Sequence, residues 1–232
     1  MERRAFTLTR NFMNKVRYIQ IAFNHAVRDV MRILPQIPYD PRIIIEAGTP
    51  YLKREGMAGV SLIRRYWSGL VVADLKTTDG AYEEVNFAYR AGADAITAAG
   101  NAPSETLDFF NKTCTQFGVY SMIDMLGESN PLRKLLPLRH KPDIVVIHKG
   151  RDEEANPRAI IRYKDINKVH SKYDVLISVA GGLTQNSVRK AYFNGADIAI
   201  LNIVKPTDAN DGIVDNLNFR QIIPKILNQV GT

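Results

Sequence analysis

The stretch Gly69-Leu-Val-Val-Ala-Asp-Leu-Lys-Thr-Thr-Asp79 sets a short, valine-rich apolar run directly before an acid, a base and an acid, spaced D-x-K-x-x-D. Leu70 to Ala73 reads as a strand buried on both faces. Side chains two apart on a strand share a face, so Asp74 and Lys76 are expected to project together where it ends. Asp79 falls beyond, in a loop that opens the next helix. Charged groups gathered just past a buried strand serve a site or balance one another as an ion network.

Similar runs recur along the chain. Candidate strands are Tyr18–Phe23, Ile43–Glu46, Leu70–Asp74, Ala95–Ala98, Val119–Asp124, Ile144–His148, Val175–Ala180 and Ile198–Asn202. Stretches of helical spacing lie between them, such as Ala81–Arg90 and Asn186–Phe193, with a short first helix near Val27–Leu34. Regular β-α alternation with buried strands argues an α/β fold. Eight units in 232 residues argue a closed (β/α)8 TIM barrel. Ala88-Tyr-Arg-Ala-Gly-Ala-Asp-Ala-Ile96 echoes Ala191-Tyr-Phe-Asn-Gly-Ala-Asp-Ile-Ala199, before strands four and eight. Each has a helix ending on glycine and then a strand, as in matching points of two half-barrels.

The chain is 45% hydrophobic and 24% charged, which suits one barrel domain over residues 17–232. Its net charge is +7, and residues 1–17 carry +4 of it through Arg3, Arg4, Arg10, Lys15 and Arg17 against Glu2. Residues 1–16 therefore read as a basic extension, solvated or capping the barrel floor. The other basic residues lack an interleaved aromatic platform, so nucleic acid is not the expected partner. No apolar run is long enough to span a bilayer, and no secretory signal is read at the start. The single cysteine, Cys114, excludes an internal disulfide and suggests a reducing, cytoplasmic setting.

In such a barrel chemistry belongs at the C-terminal strand ends. Those ends carry Asn24, Glu46, Asp74 with Lys76, Asp124, His148 and Asn202. Glu46 and Asp74, on neighbouring strands, are two hard oxygen donors suited to Mg2+. They are equally readable as a carboxylate pair neutralised by Lys76 and other bases. His148 either shuttles protons near neutral pH or is structural. Arg151 and Asp152 either grip a substrate or pair with each other. After strand seven, Gly181 and Gly182 in Ala180-Gly-Gly-Leu-Thr184 precede a helix start near Gln185 or Asn186. That is a usual position for a substrate phosphate.

Together these residues resemble the orotidine monophosphate decarboxylase superfamily, from about Tyr18 to the C-terminus. The D-x-K-x-x-D motif after the third strand is specific to it. The orotidine decarboxylases place lysine at strand two and use no metal. Glu46-Ala-Gly-Thr-Pro50 resembles instead the Mg2+-dependent branch, 3-hexulose-6-phosphate synthase and 3-keto-L-gulonate-6-phosphate decarboxylase. The synthase blocks resemble Ala73-Asp-Leu-Lys-Thr77, Gly92-Ala-Asp-Ala-Ile-Thr97 and Val179-Ala-Gly-Gly-Leu183. Arg151 is a feature of the decarboxylase. In two places the chain departs from the family: Asn24 stands for an aspartate, and Asn202-Ile203 for a phosphate-binding Gly-Arg pair. Lys205 is the candidate replacement cation.

The resemblance implies Mg2+ on Glu46 and Asp74, catalytic roles for Lys76, Asp124 and His148, and a homodimer whose Asp79 crosses into the neighbouring subunit's site. It implies a carbon–carbon lyase that joins formaldehyde to the phosphorylated ketose ribulose 5-phosphate, or reverses that step, through an enediolate. Decarboxylation of a keto-acid sugar phosphate, or a non-catalytic sugar-phosphate-binding paralogue, are the alternatives.

Overall fold

In the computed structural model, residue 8, residues 16–156 and residues 158–230 are described. Eight parallel strands form at the apolar runs: β1 (Tyr18–Phe23), β2 (Ile43–Ala47), β3 (Leu70–Thr77), β4 (Ala95–Ala99), β5 (Tyr120–Asp124), β6 (Ile144–His148), β7 (Leu176–Ala180) and β8 (Ile198–Val204). Each pairs with the next, and β1 pairs with β8 in the register Gln20 to Ile200 and Ala22 to Asn202, closing the barrel. The expected (β/α)8 architecture is therefore present. A two-residue strand, β9 (Ile213–Val214), extends it beside the end of β8 and was not foreseen.

Strand side chains alternate between two apolar layers. Ile19, Ile21, Phe23, Ile45, Val71, Ile123, Val145 and Ile177 point outward against the helices. Tyr18, Ala22, Ile44, Val72, Met122, Val146 and Ile200 fill the barrel interior. Burial of both faces explains why the strands read as continuous apolar runs. Leu8 joins the interior layer, and its N–H donates to the Tyr120 hydroxyl at 2.9 Å. Of the expected basic extension only residues 8 and 16 are described; Arg3, Arg4, Arg10 and Lys15 lie outside the described residues.

The outer ring comprises α1 (Val27–Ile33), α2 (Thr49–Tyr66), α3 (Ala81–Ala91), α4 (Ser104–Phe117), α5 (Pro131–Leu135), α6 (Lys164–His170), α7 (Val188–Phe193) and α8 (Phe219–Val230). The echoed segments are structurally equivalent. Gly92 and Gly195 take φ of 99° and 97°. Asp94 then accepts the Val71 N–H at 3.0 Å, and Asp197 the Ile177 N–H at 2.8 Å, each at the start of the preceding strand. One expectation is corrected: α7 starts at Val188, later than Gln185 or Asn186. Thr184 and Ser187 close on each other, through Thr184 N to Ser187 Oγ at 2.8 Å and Ser187 N to the Thr184 carbonyl at 3.1 Å. That turn consumes N–H groups that an earlier helix start would have left open. Among the described residues no helix is long and apolar enough to cross a membrane.

Candidate active site

The C-terminal strand ends surround a cavity of about 420 Å³, a size suited to a small ligand. Asn24, Glu46, Asp74, Lys76, Asp124, His148, Arg151 and Asn202 all line it. At its centre is a chain of charges. Lys76 Nζ lies 2.8 Å from Asp74 Oδ2 and 2.8 Å from Asp124 Oδ2, and His148 Nδ1 lies 2.9 Å from the Asp124 carboxyl. Asp74 also accepts the hydroxyls of Thr49 at 2.6 Å and Thr97 at 2.8 Å.

Lys76 reaches this position by a route that strand periodicity does not supply. β3 continues to Thr77, and its pairing with β4 slips between Ala73 and Thr77. Within that irregularity Lys76 has φ of 51°, the only positive φ at a described non-glycine residue. Such a conformation is unfavourable for a side chain with a Cβ and is held in place by its surroundings. Here the Lys76 N–H donates to Thr97 Oγ1 at 2.9 Å while Nζ bridges two carboxylates.

The protonation states follow from these contacts. Burial opposes charge on Asp124, but His148 and Lys76 outweigh it and hold the carboxyl well below its usual range. Burial likewise disfavours the Lys76 ammonium, and Asp74 with Asp124 reverses that, pushing its pKa up. His148 is raised too: the Asp124 carboxylate overcomes desolvation. Glu46 differs. Burial first, then the nearby Asp74 charge, push it up to about 7. Its hydrogen-bond donor is an uncharged amide, Gln20 Nε2, at 2.5 Å.

Glu46 is thus short of positive charge, and Gln20 Oε1 is buried without a partner. Glu46 and Asp74 give two hard oxygen donors, and Mg2+ takes one or two carboxylates with water and substrate oxygens. The donor set fits that ion as an open site. Among the described residues no group of three or more His, Cys, Asp or Glu forms a dedicated metal cage.

Other expected residues lie elsewhere. Lys205 Nζ is held by Asp29 and Asp215, 2.7 Å from each, and does not line the cavity. Gly181 and Gly182 flank the cavity without lining it. Gly181, at φ of 108°, is required by packing: a Cβ there would stand 2.2 Å from the Lys149 carbonyl oxygen. Asp79 is exposed on a separate groove with Tyr82, Glu105 and Phe109. The two departures from the family pattern meet, with Asn24 Nδ2 donating to Asn202 Oδ1 at 3.0 Å.

The sequence reading missed Gln20, Thr49, Lys53 and Thr97, all of which line the cavity. Gln20 and Thr97 carried a signal, being polar residues inside apolar strands. Thr49 and Lys53 on α2 carried none.

Known proteins share both the sequence and the barrel. The chain is 37% identical over 198 residues to a bifunctional enzyme Fae/Hps of Methanothrix thermoacetophila, covering 84% of this chain and 50% of that one. It is 36% identical over 212 residues to the Methanocella arvoryzae bifunctional enzyme Fae/Hps, covering 90% and 53%. The chain spans about half the length of these curated relatives. A crystal structure of 3-hexulose-6-phosphate synthase superposes with a TM-score of 0.79 at 22% identity, covering 92% of this chain and all of that one. A 3-keto-L-gulonate-6-phosphate decarboxylase from Vibrio cholerae superposes at 0.72 with 22% identity, covering 93% and 97%. At such identities the structural likeness speaks for the barrel alone. The sequence match is broader: the model of the orotidine 5'-phosphate decarboxylase / HUMPS family covers residues 17–201, from the first strand into the eighth, and the chain belongs to that family.

Proposed function

We propose that this barrel is a 3-hexulose-6-phosphate synthase-type lyase that joins formaldehyde to ribulose 5-phosphate or reverses that step. The observation that carries the reading is the Asp74–Lys76–Asp124–His148 chain at the mouth, beside the charge-deficient Glu46. His148 Nδ1 is engaged by Asp124, so Nε2 is the nitrogen left to take a proton from the carbon beside the substrate keto group. The electron pair moves onto the keto oxygen, giving an enediolate, and Lys76 stabilises the developing negative charge. The nucleophilic carbon then forms the new bond to formaldehyde, whose oxygen takes up a proton. Mg2+ held by Glu46 and Asp74 would add Lewis-acid stabilisation of the substrate oxygens. Lys53 and Arg151 supply positive charge on the cavity wall for the phosphorylated chain. Arg151 also favours a second reading, decarboxylation of a keto-acid sugar phosphate through the same kind of intermediate.

The expected result is formaldehyde consumption with ribulose 5-phosphate and Mg2+, abolished by excess chelator and restored by the metal. Full activity in chelator would remove the metal from the reading. No consumption, with carbon dioxide released from a keto-acid sugar phosphate, would select the decarboxylase.

A homodimer is part of the proposal. Asp79 is exposed beside Tyr82 and Phe109, which are 46% and 47% exposed on α3 and α4, two aromatic rings suited to contact with a second copy. Asp79→Ala and Lys76→Ala should each be nearly inactive and partly recover on mixing, since one site of each heterodimer is intact. No recovery with proven subunit exchange would confine Asp79 to its own chain. A reducing, cytoplasmic setting is proposed from Cys114, which is free and buried.

A further inference from the structure

The connection leaving β6 at His148 runs through Gly150 into a 3-10 turn, Asp152–Ala155, none of whose residues is buried. Polar contacts fasten it across the mouth. Glu154 Oε2 accepts the backbone N–H of Asp211 at 3.1 Å and Nδ2 of Asn210 at 3.2 Å, both beyond β8. Asn210 Nδ2 also donates to the Arg151 carbonyl at 3.1 Å. The same carboxyl lies over the turn after β7. A Cβ on Gly182, whose φ is 65°, would come within 3.2 Å of Glu154 Oε2. Glu154 itself lines the cavity.

A carboxylate therefore sits between the loops after β7 and β8, where barrels of this class receive a substrate phosphate. Its donors there are a backbone N–H and a side-chain amide, neutral groups that would serve a phosphate oxygen equally well. An incoming dianion cannot share that position with it, because like charges in close contact repel. The turn that carries Glu154 has no buried anchor, so little apolar contact opposes its displacement.

We infer that Glu154 is an internal anion competing with the anionic end of the substrate, and that it sets the affinity of the site for that end. The inference takes from the proposed function only that the substrate carries a phosphate; its place at this turn follows from the barrel architecture. The probe is inorganic phosphate, titrated into the full chain and followed through backbone amide resonances. Glu154→Gln keeps the size and an acceptor oxygen while removing the charge; Glu154→Ala removes both. Both variants should bind phosphate about tenfold or more tightly than the parent. The amide signals of Gly182 and Asp211 should move on binding. Equal or weaker binding in both variants, or binding that leaves those two amides unmoved, would overturn it. Ribulose 5-phosphate turnover is measured separately. Tighter phosphate binding without any turnover would sink the synthase reading and leave this inference standing; turnover with unchanged phosphate affinity would do the reverse.

Discussion

At the barrel floor Asp94 and Asp197 are 9% and 3% exposed; each accepts a main-chain N–H from the start of the preceding strand, and Asp94 also pairs with the Arg64 guanidinium at 2.7 Å. At the mouth Glu46, Asp74 and Asp124 are 6%, 7% and 3% exposed, at comparable depth. The groups facing Asp74 and Asp124 include Lys76 and His148, which are themselves ionisable, and Glu46 is met by a neutral amide. Main-chain dipoles and a guanidinium that stays charged do not change protonation state. The lysine and histidine at the mouth can exchange protons. Burial alone does not mark a functional carboxylate; the nature of its partner does.

The contrast breaks most sharply at Lys76. Under the proposed activity, Lys76→Met should lower kcat by about a hundred- to a thousandfold, because the developing negative charge loses its preorganised cation. Steady-state kinetics on formaldehyde and ribulose 5-phosphate read this out. An unchanged kcat would reduce the mouth charges to the same structural standing as those of the floor.

Glu46 offers a test through pH. Its carboxyl goes from 4.5 in the unfolded chain to about 7 in the folded one, so the folded state holds the proton more tightly. Between those values the folded protein binds more protons than the unfolded chain, and stability falls as pH rises. Above about pH 7 the penalty is complete, at most about 3 kcal/mol for a shift of this size. In excess chelator Glu46→Gln should therefore be more stable than the parent at pH 8, with the gain fading toward pH 4.5. Denaturant melts across that range check it, and a gain independent of pH would contradict the assignment.

The smallest effect belongs to the floor. Asp197→Ala leaves the buried Ile177 N–H without this acceptor and should cost about 1–3 kcal/mol of stability while kcat and KM stay put. A changed pH–rate profile in this variant would mean that the two ends of the barrel are coupled.

How far the sequence could be read follows from which contacts are local. The eight strands were legible because a strand buried on both faces demands an uninterrupted apolar run. The polar residues that end several of the runs were legible for the same reason: Glu46, Asp74, Asp124 and His148 stand where the runs stop. The echo around Gly92 and Gly195 gave the half-barrel symmetry, and its aspartates turned out to be floor residues. The conformation of Lys76 was not legible, since strand periodicity assumes a regular strand and β3 breaks register there. Nor was the pairing of Lys205 with Asp29, 176 positions away, which removes it from the cavity.

The sequence by itself determined the barrel, the order of its strands and the acid–lysine–acid set, because these depend on periodicity and short-range spacing. Only the tertiary structure decided which charges face one another. Closure brings β1 against β8, so Asn24 meets Asn202 across 178 positions. The loop after β6 folds over the turn after β7, so Glu154 comes to rest above Gly182. Neither neighbour is encoded locally; both arise because closing a parallel sheet joins its ends and gathers all its C-terminal loops around one mouth.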